Sequence, residues 1–113
     1  MKEADDLNKY IVKFLNLHDW YVRRVNTIHV RGRSMPEDQT GYGDVQGCSD
    51  KGVYVNIEGK APGDRLSALQ NNRITEINSR GGIAFVAWSK DDFEGKIKPW
   101  IGKKITKKPE SEE

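Results

Sequence analysis

The stretch Val53-Tyr54-Val55-Asn56-Ile57-Glu58-Gly59-Lys60 decides the fold of this chain. Its β-branched residues alternate with other side chains, and this period of two predicts a β-strand over residues 53–60. Because alternate side chains of a strand share a face, Glu58 and Lys60 are expected to lie side by side. A weak ion pair at the solvated end of a strand is the ordinary explanation for such a pair.

The segments on either side of this strand predict an α-β-β-β-α-β order. Helical spacing of apolar residues predicts the helices, and β-branched or wholly apolar runs predict the other strands. The predicted helices cover residues 5–17 and 66–79, and the predicted strands cover residues 20–30, 44–47, 53–60 and 83–88. A polar loop is expected over residues 31–43, and Ser89 is expected to cap a short third helix or turn that continues through Phe93.

This order predicts an α/β fold with a mixed central sheet flanked by helices. A chain of 113 residues suits one domain with a single modest core. We expect that domain to occupy residues 1–100. The lysine-rich and then acidic residues 101–113 are expected to form a flexible tail.

Composition excludes several classes of protein. Charged residues make up 32% of the chain and no apolar run approaches the length of a membrane span. The polar, acidic N-terminus indicates no signal peptide. The single cysteine, Cys48, cannot form an internal disulfide, and this favours a reducing, cytoplasmic compartment.

The net charge of +2 gives the chain no global basic field. A nucleic-acid partner would therefore have to be held by a local basic surface. Solubilising surface is the usual role of such residues, but near a phosphodiester site they would position a nucleic-acid backbone. The candidates for this role are Arg23, Arg24, Asn26, Arg31 and Arg33.

Asp44 precedes the central strand by a short hairpin, so it can lie opposite or diagonal to Glu58 on one face. Two facing carboxylates repel unless a proton or a cation intervenes. Hard oxygen ligands with open water positions suit Mg²⁺ or Mn²⁺. Beside such a metal, Lys60 can hold the attacking water or neutralise charge on a phosphate. A simple turn aspartate between glycines and a solvated strand-end lysine are the alternatives.

Gln70 falls within the arc of the apolar stripe predicted for the second helix. A buried amide needs hydrogen-bond partners, and the face carrying Glu58 and Lys60 can supply them. An equally open alternative is that Gln70 caps a backbone group. The stripe itself is formed by Leu66, Leu69, Ile74 and Ile77.

Together these residues resemble the PD-(D/E)xK nuclease superfamily and, more narrowly, the VRR-NUC domain. The sequence departs from the family pattern at Gly43, where proline is usual, and at Gly59, where a β-branched residue is usual. The resemblance covers most of the chain. It runs over Arg24–Asn26, Gly41–Gly47, Asn56–Gln70 and Gly81–Val86.

The resemblance implies a restriction-endonuclease-like fold and a divalent-metal-dependent nuclease. Asp44 and Glu58 would bind Mg²⁺ or Mn²⁺ together with the carbonyl of Gly59. Lys60 would be the catalytic lysine, and Gln70 would support the site from the helix.

The resemblance also bears on the first helix and on partners. The family tends to place a glutamate in the first helix, and Asn8, Asp6 or Glu3 stands near that place. Short stand-alone members resemble Holliday-junction resolvases, occur in phages and bacteria, and are often homodimers acting on branched DNA. A non-catalytic nucleic-acid-binding module, or a nuclease subunit of a larger restriction or repair assembly, is the alternative. Aromatic residues outside the predicted core are candidates to line a dimer contact: Trp20, Tyr42 and Trp100.

Overall fold

The structure is a computed structural model that describes residues 2–25, 41–102 and 108–109. Within these residues the predicted α-β-β-β-α-β order is present and a further helix follows it. The helices are α1 (Lys2–Leu17), α2 (Ala68–Ser79) and α3 (Lys90–Ile101). The strands are β1 (Tyr21–Arg24), β2 (Val45–Cys48), β3 (Tyr54–Gly59) and β4 (Ile83–Ala87).

The four strands form one mixed sheet in the order β1-β2-β3-β4. Strands β1 to β3 are antiparallel neighbours, whereas β4 runs parallel to β3 and is reached through α2. Val45 lies opposite Ile57, and Ile57 lies opposite Phe85. The predicted α/β class with a mixed sheet flanked by helices is therefore confirmed.

The core lies between one face of the sheet, here called the inner face, and helices α1 and α3. Phe14 of α1 and Phe93 of α3 are both fully buried, and their rings meet edge to face with centroids 5.0 Å apart. Aromatic pairs of this geometry add to the free energy gained by burial. The other buried side chains of this layer are Leu7, Ile11, Leu15, Trp20, Val22, Val45, Val55, Ile57, Ile83, Ala87 and Ile97.

Several predicted boundaries differ from the structure. Helix α1 begins at Lys2, and α3 extends to Ile101 instead of ending near Phe93. Ser89 caps α3 as predicted, since its hydroxyl accepts a hydrogen bond from the Asp92 N–H at 3.0 Å. The longer α3 follows from Phe93 and Ile97, which are one turn apart and both buried.

Some sequence predictions fall outside the described residues. The predicted strand over residues 20–30 is represented by β1, and residues 26–30 are not described. The proposed phosphate-binding residues Asn26, Arg31 and Arg33 also lie outside the described residues. Of the predicted tail, Ile101 belongs to α3, while residues 103–107 and 110–113 are not described.

Helix α2 packs over β4 on the opposite, outer face of the sheet. None of its residues is buried, so the prediction of a buried stripe on this helix is wrong. Leu66 precedes the helix and is exposed, while Leu69, Ile74 and Ile77 are half-buried. The stripe stays half-buried because α2 covers the strand at one edge of the sheet and not the middle of the outer face.

Three asparagines bind free backbone groups of the sheet in the same way. Each side-chain amide donates to a strand carbonyl and accepts from the N–H of the same residue, as a neighbouring strand would. The pairs are Asn16 with Val22 of β1 (3.1 and 3.0 Å), Asn78 with Ala84 of β4 (2.8 and 2.9 Å) and Asn8 with Gly59 of β3 (3.3 and 2.8 Å). We call these contacts asparagine clamps.

Candidate functional site

The structure brings Asp44 and Glu58 together at one end of the sheet, where Glu58 lies on the outer face by alternation along β3. Asp44 immediately precedes β2, and continuing the register past Val45 and Ile57 sets it opposite Glu58. The Asp44 N–H donates to Glu58 Oε1 at 2.7 Å. The adjacency expected from a hairpin with a period of two is therefore present, and it fixes two carboxylates on neighbouring strands.

Burial raises the pKa of Glu58 above its usual value of 4.5. The hydrogen bond from the Asp44 N–H opposes this, the charge of Asp44 reinforces it, and the charges of Lys60 and Arg24 oppose it. The balance is an elevated pKa, so the ionised form of Glu58 is disfavoured in the folded protein. A cation beside the two carboxylates would relieve both the desolvation and the repulsion.

We expect Glu58→Gln to raise the free energy of unfolding at pH 7.5 in EDTA. An acid whose pKa is raised by folding stabilises the protein below its unfolded pKa, and this contribution is lost as the pH rises through the folded pKa. The introduced amide keeps the acceptor for the Asp44 N–H but carries no charge. The gain over wild type should therefore close below about pH 4. Urea unfolding at both pH values measures it.

The control for this experiment is Glu3→Gln, which changes an exposed carboxylate of α1. The free energy of unfolding of Glu3→Gln should stay close to that of wild type at both pH values. An equal stability of Glu58→Gln and wild type at pH 7.5 and pH 4 would contradict the role assigned to burial of Glu58.

Lys60 follows β3 directly and is 9% exposed. Its N–H donates to Ala87 O at 2.9 Å, so the pairing of β3 with β4 extends through this residue. The ammonium group makes no hydrogen bond or ion pair within the described residues. A lysine this buried usually has an anionic partner. The site therefore contains a lysine cation beside two carboxylates, and the described residues show no ion pair between them.

Arg24 joins α1 to the carboxylates. Its Nη2 lies 3.1 Å from Asp44 Oδ2 and its Nη1 pairs with Asp5 of α1. The Nε of this side chain is buried without a hydrogen-bond partner in the described residues. Arg24 was predicted to bind nucleic acid, but its guanidinium is engaged in holding Asp44. Arg23, in contrast, is exposed on the outer face.

Asn8 explains why the residue between Glu58 and Lys60 is a glycine. The Asn8 clamp binds both the N–H and the C=O of Gly59. These groups have no partner from β2, because β2 begins only at Val45. A Cβ on Gly59 would lie 3.0 Å from both Asn8 Oδ1 and Leu7 Cγ. A side chain at position 59 would require Asn8 and Leu7 of α1 to shift, so the glycine, a departure from the pattern that the sequence resembles, fits the close packing of α1.

The second departure, at Gly43, also has a structural reason. The Gly43 N–H donates to Asn56 Oδ1 at 2.7 Å, and Asn56 is itself 3% exposed. Proline has no N–H to donate. A Cβ on Gly43 would lie 2.7 Å from the backbone carbonyl of Ile57. The chain before Asp44 therefore lies against β3 more closely than a proline allows.

Asn8→Ala is expected to lower the free energy of unfolding by about 2 kcal/mol. It leaves the N–H and C=O of Gly59 without partners in a buried position, and each such group costs about 1–3 kcal/mol, less where water can enter. Chemical denaturation measures the loss. The matched control is Asn16→Ala, which removes the same type of clamp from an exposed asparagine and should cost under about 1 kcal/mol. Equal losses would mean that burial at Gly59 does not matter.

Gln70 is used as a helix cap. Its Oε1 accepts from the Ser67 N–H at 3.0 Å while Ser67 Oγ accepts from the Gln70 N–H at 3.0 Å, which completes a capping box at the start of α2. This contact agrees with the alternative interpretation of the sequence, in which Gln70 caps a backbone group. Within the described residues no hydrogen bond joins Gln70 to Glu58 or Lys60. Its catalytic role stays a prediction.

The loop before Asp44 rests on α2. A Cβ on Gly41 would lie 2.8 Å from Leu69 Cγ, and the Arg73 guanidinium carbon lies 4.7 Å from the centre of the Tyr42 ring. Cation–π contacts of this kind hold neighbouring side chains in place. Helix α2 therefore contributes to the position of Asp44 through the loop and not through Gln70.

Among the first-helix candidates, Asn8 reaches the site. Glu3 and Asp6 have exposed side chains, and no hydrogen bond or ion pair within the described residues joins either to Asp44 or Glu58. Asp5, which the sequence did not single out, is linked to Asp44 through Arg24. The signal that points to Asn8 is Gly59, because a glycine in a strand interior marks a close approach by another part of the chain.

The donor set fits a hard divalent cation. Asp44 uses Oδ2 for Arg24 and Glu58 uses Oε1 for the Asp44 N–H, so each carboxylate keeps one oxygen unengaged within the described residues. The Gly59 carbonyl accepts from Asn8 at 3.3 Å and retains a second lone pair. No group of three or more His, Cys, Asp or Glu side chains is placed to hold a metal in the described part of the chain.

Comparison with family models, with curated proteins and with solved structures found no match for this chain. None of the described helices is long and apolar enough to cross a membrane. The geometry of Asp44, Glu58 and Lys60 is therefore the feature of this protein that bears on its function.

Proposed function

We propose that this protein is a divalent-metal-dependent endonuclease that hydrolyses phosphodiester bonds in branched or otherwise structured DNA. The observation that carries the proposal is the pairing of Asp44 and Glu58 on neighbouring strands beside a nearly buried lysine with no ion-pair partner in the described residues. Two carboxylates can bind a divalent metal, and a lysine beside them can stabilise the charge that develops on a phosphate. The α-β-β-β-α-β order and the resemblance to PD-(D/E)xK nucleases support a restriction-endonuclease-like fold.

The unengaged oxygens of Asp44 and Glu58, with the Gly59 carbonyl, would hold Mg²⁺ or Mn²⁺. The bound metal would lower the pKa of a coordinated water and polarise the phosphate. Lys60 would hold the attacking water or stabilise charge that develops on the phosphate oxygens. Arg24 would keep Asp44 oriented through their ion pair, and the Asn8 clamp would fix the backbone between Glu58 and Lys60.

Cleavage assays test this proposal. The purified protein is incubated with four-way junction, flap, duplex and single-stranded DNA in Mg²⁺, Mn²⁺ or EDTA. We expect cutting of junction or flap substrates with either metal and none in EDTA. Binding to these substrates without cutting in any metal would instead identify a non-catalytic nucleic-acid-binding module.

The assembly that fits this function is a homodimer, since symmetric cutting of a junction needs two sites related by a two-fold axis. Trp20 does not contribute to the contact surface, because it is 4% exposed and lies in the core. Tyr42 and Trp100 remain candidates, at 37% and 45% exposed. Light scattering should report twice the chain mass of 12.9 kDa.

A further inference from the structure

Two tyrosines occupy one row across the outer face of the sheet. Tyr21 of β1 lies opposite Cys48 of β2, and Cys48 lies opposite Tyr54 of β3. Tyr21 is 81% exposed and Tyr54 is 42% exposed. Both point away from the core, because their neighbours Val22 and Val55 are buried on the inner face. We call Tyr21, Cys48 and Tyr54 the tyrosine row.

The tyrosine row shares its face with Glu58. Tyr54 and Glu58 are four residues apart on β3, so alternation places them on one side of the sheet, about 13 Å apart along the strand. Substrate bound at Asp44 and Glu58 can therefore continue along the outer face to the tyrosine row.

Tyr54 is held in place by a polar network that leads to the site. Its hydroxyl accepts from Asn56 Nδ2 at 3.1 Å and lies 3.4 Å from Gln46 Oε1. Asn56 and Gln46 in turn bind the N–H and C=O of Gly43, at 2.7 and 3.1 Å. The ring is thus fixed on the sheet surface before any ligand arrives, and a pre-ordered aromatic side chain loses little entropy on binding.

Exposed aromatic rings on a sheet suit unpaired nucleobases. Bases stack on aromatic side chains with little dependence on sequence, whereas the bases of a duplex are already stacked on each other. Arg23 lies opposite Gln46, is exposed and shares the outer face, so it supplies a cation for a phosphate beside the rings. The face therefore combines stacking surface and positive charge next to the carboxylates.

Resting on the nuclease activity proposed above, we propose that the tyrosine row is a stacking platform for the unpaired bases of a single-stranded segment next to the scissile phosphate. The substrate class is then DNA with a single-stranded arm or a junction with unpaired nucleotides, and not a continuous duplex. Arg23 binds the backbone of the same segment.

Binding is tested without catalysis. Fluorescence anisotropy in EDTA compares a labelled oligothymidylate with a labelled hairpin duplex for wild type, Tyr21→Ala, Tyr54→Ala and Tyr21→Phe. We expect each alanine variant to lose about tenfold or more in affinity for the single strand, and Tyr21→Phe to keep it, since stacking needs the ring and not the hydroxyl. Affinity for the duplex should stay unchanged. Leu17→Ala, which removes an exposed apolar side chain from α1, is the matched control and should bind as wild type does.

The outcomes separate this inference from the nuclease proposal. Unchanged single-strand affinity of the alanine variants, or equal losses on single strand and duplex, would overturn the platform even if the wild type cuts DNA. Selective loss of single-strand binding would support the platform even if no substrate is cut in any metal. Because Tyr21 is 81% exposed, circular dichroism should show Tyr21→Ala to be folded.

Discussion

Glu58→Ala is expected to lower metal-dependent cleavage of structured DNA by about a thousandfold or more. The substitution removes one of the two neighbouring carboxylates of the site, and it removes the acceptor of the Asp44 N–H. Asp44→Ala should have an effect of similar size. Initial rates on a junction substrate at saturating Mg²⁺ measure the loss, with DNA binding in EDTA as a separate readout that should stay near wild type.

Lys60→Ala should abolish turnover while leaving metal binding intact, because in the proposed function the lysine would act on water or phosphate and not on the metal. Glu76→Ala provides the matched control, since Glu76 is an exposed carboxylate of α2 that pairs with Arg80 at 2.6 Å. It should cut as wild type does. Cleavage by Glu58→Ala at the wild-type rate would show that the site assignment is wrong.

Gly47→Ala is expected to destabilise the protein by about 3 kcal/mol or more. A Cβ at this position of β2 would lie 2.0 Å from the backbone oxygen of Tyr21 and 2.7 Å from Val22 Cα. Neither is the end of a flexible side chain, so strands β1 and β2 would have to separate. Thermal or urea unfolding measures the change.

Gly95→Ala is the control for this substitution, because the same change from glycine to alanine is expected to stabilise the protein there. Gly95 is exposed in α3, and a Cβ there meets no heavy atom within 4 Å. Replacing a helical glycine by alanine stabilises a protein by about 0.5–1 kcal/mol. If both variants changed stability equally, steric exclusion at Gly47 would not be the cause.

Local patterns predicted the elements that have one clearly buried side. Helix α1 and strand β3 follow from regular apolar spacing, and β4 follows from its wholly apolar run, because each packs against the core. The extent of α3 was not predicted, since it depends on the packing of Phe93 and Ile97 against α1 and the sheet. The exposure of α2 was not predicted either. An apolar stripe in the sequence does not show how much of the helix surface the sheet will cover.

In the candidate site, the contacts that strand register sets were predictable. Asp44 opposite Glu58 needs only a hairpin and a period of two. The Arg24 and Asn8 contacts were not predictable, since they join residues up to 51 positions apart and depend on how α1 packs against the sheet. Gly59 marks the Asn8 contact in the sequence, but a glycine does not identify the side chain that approaches it.

The asparagine clamps also bear on how copies of the protein meet. An unpaired strand edge is a template for edge-to-edge association and for amyloid-like growth. Asn16 occupies the middle of the β1 edge, and on β4 Asn78 and the Lys96 ammonium occupy the outward groups of Ala84 and Val86. A second copy that extended the sheet would have to displace these side chains first. Edge-to-edge pairing through β1 or β4 would therefore carry the cost of breaking these hydrogen bonds.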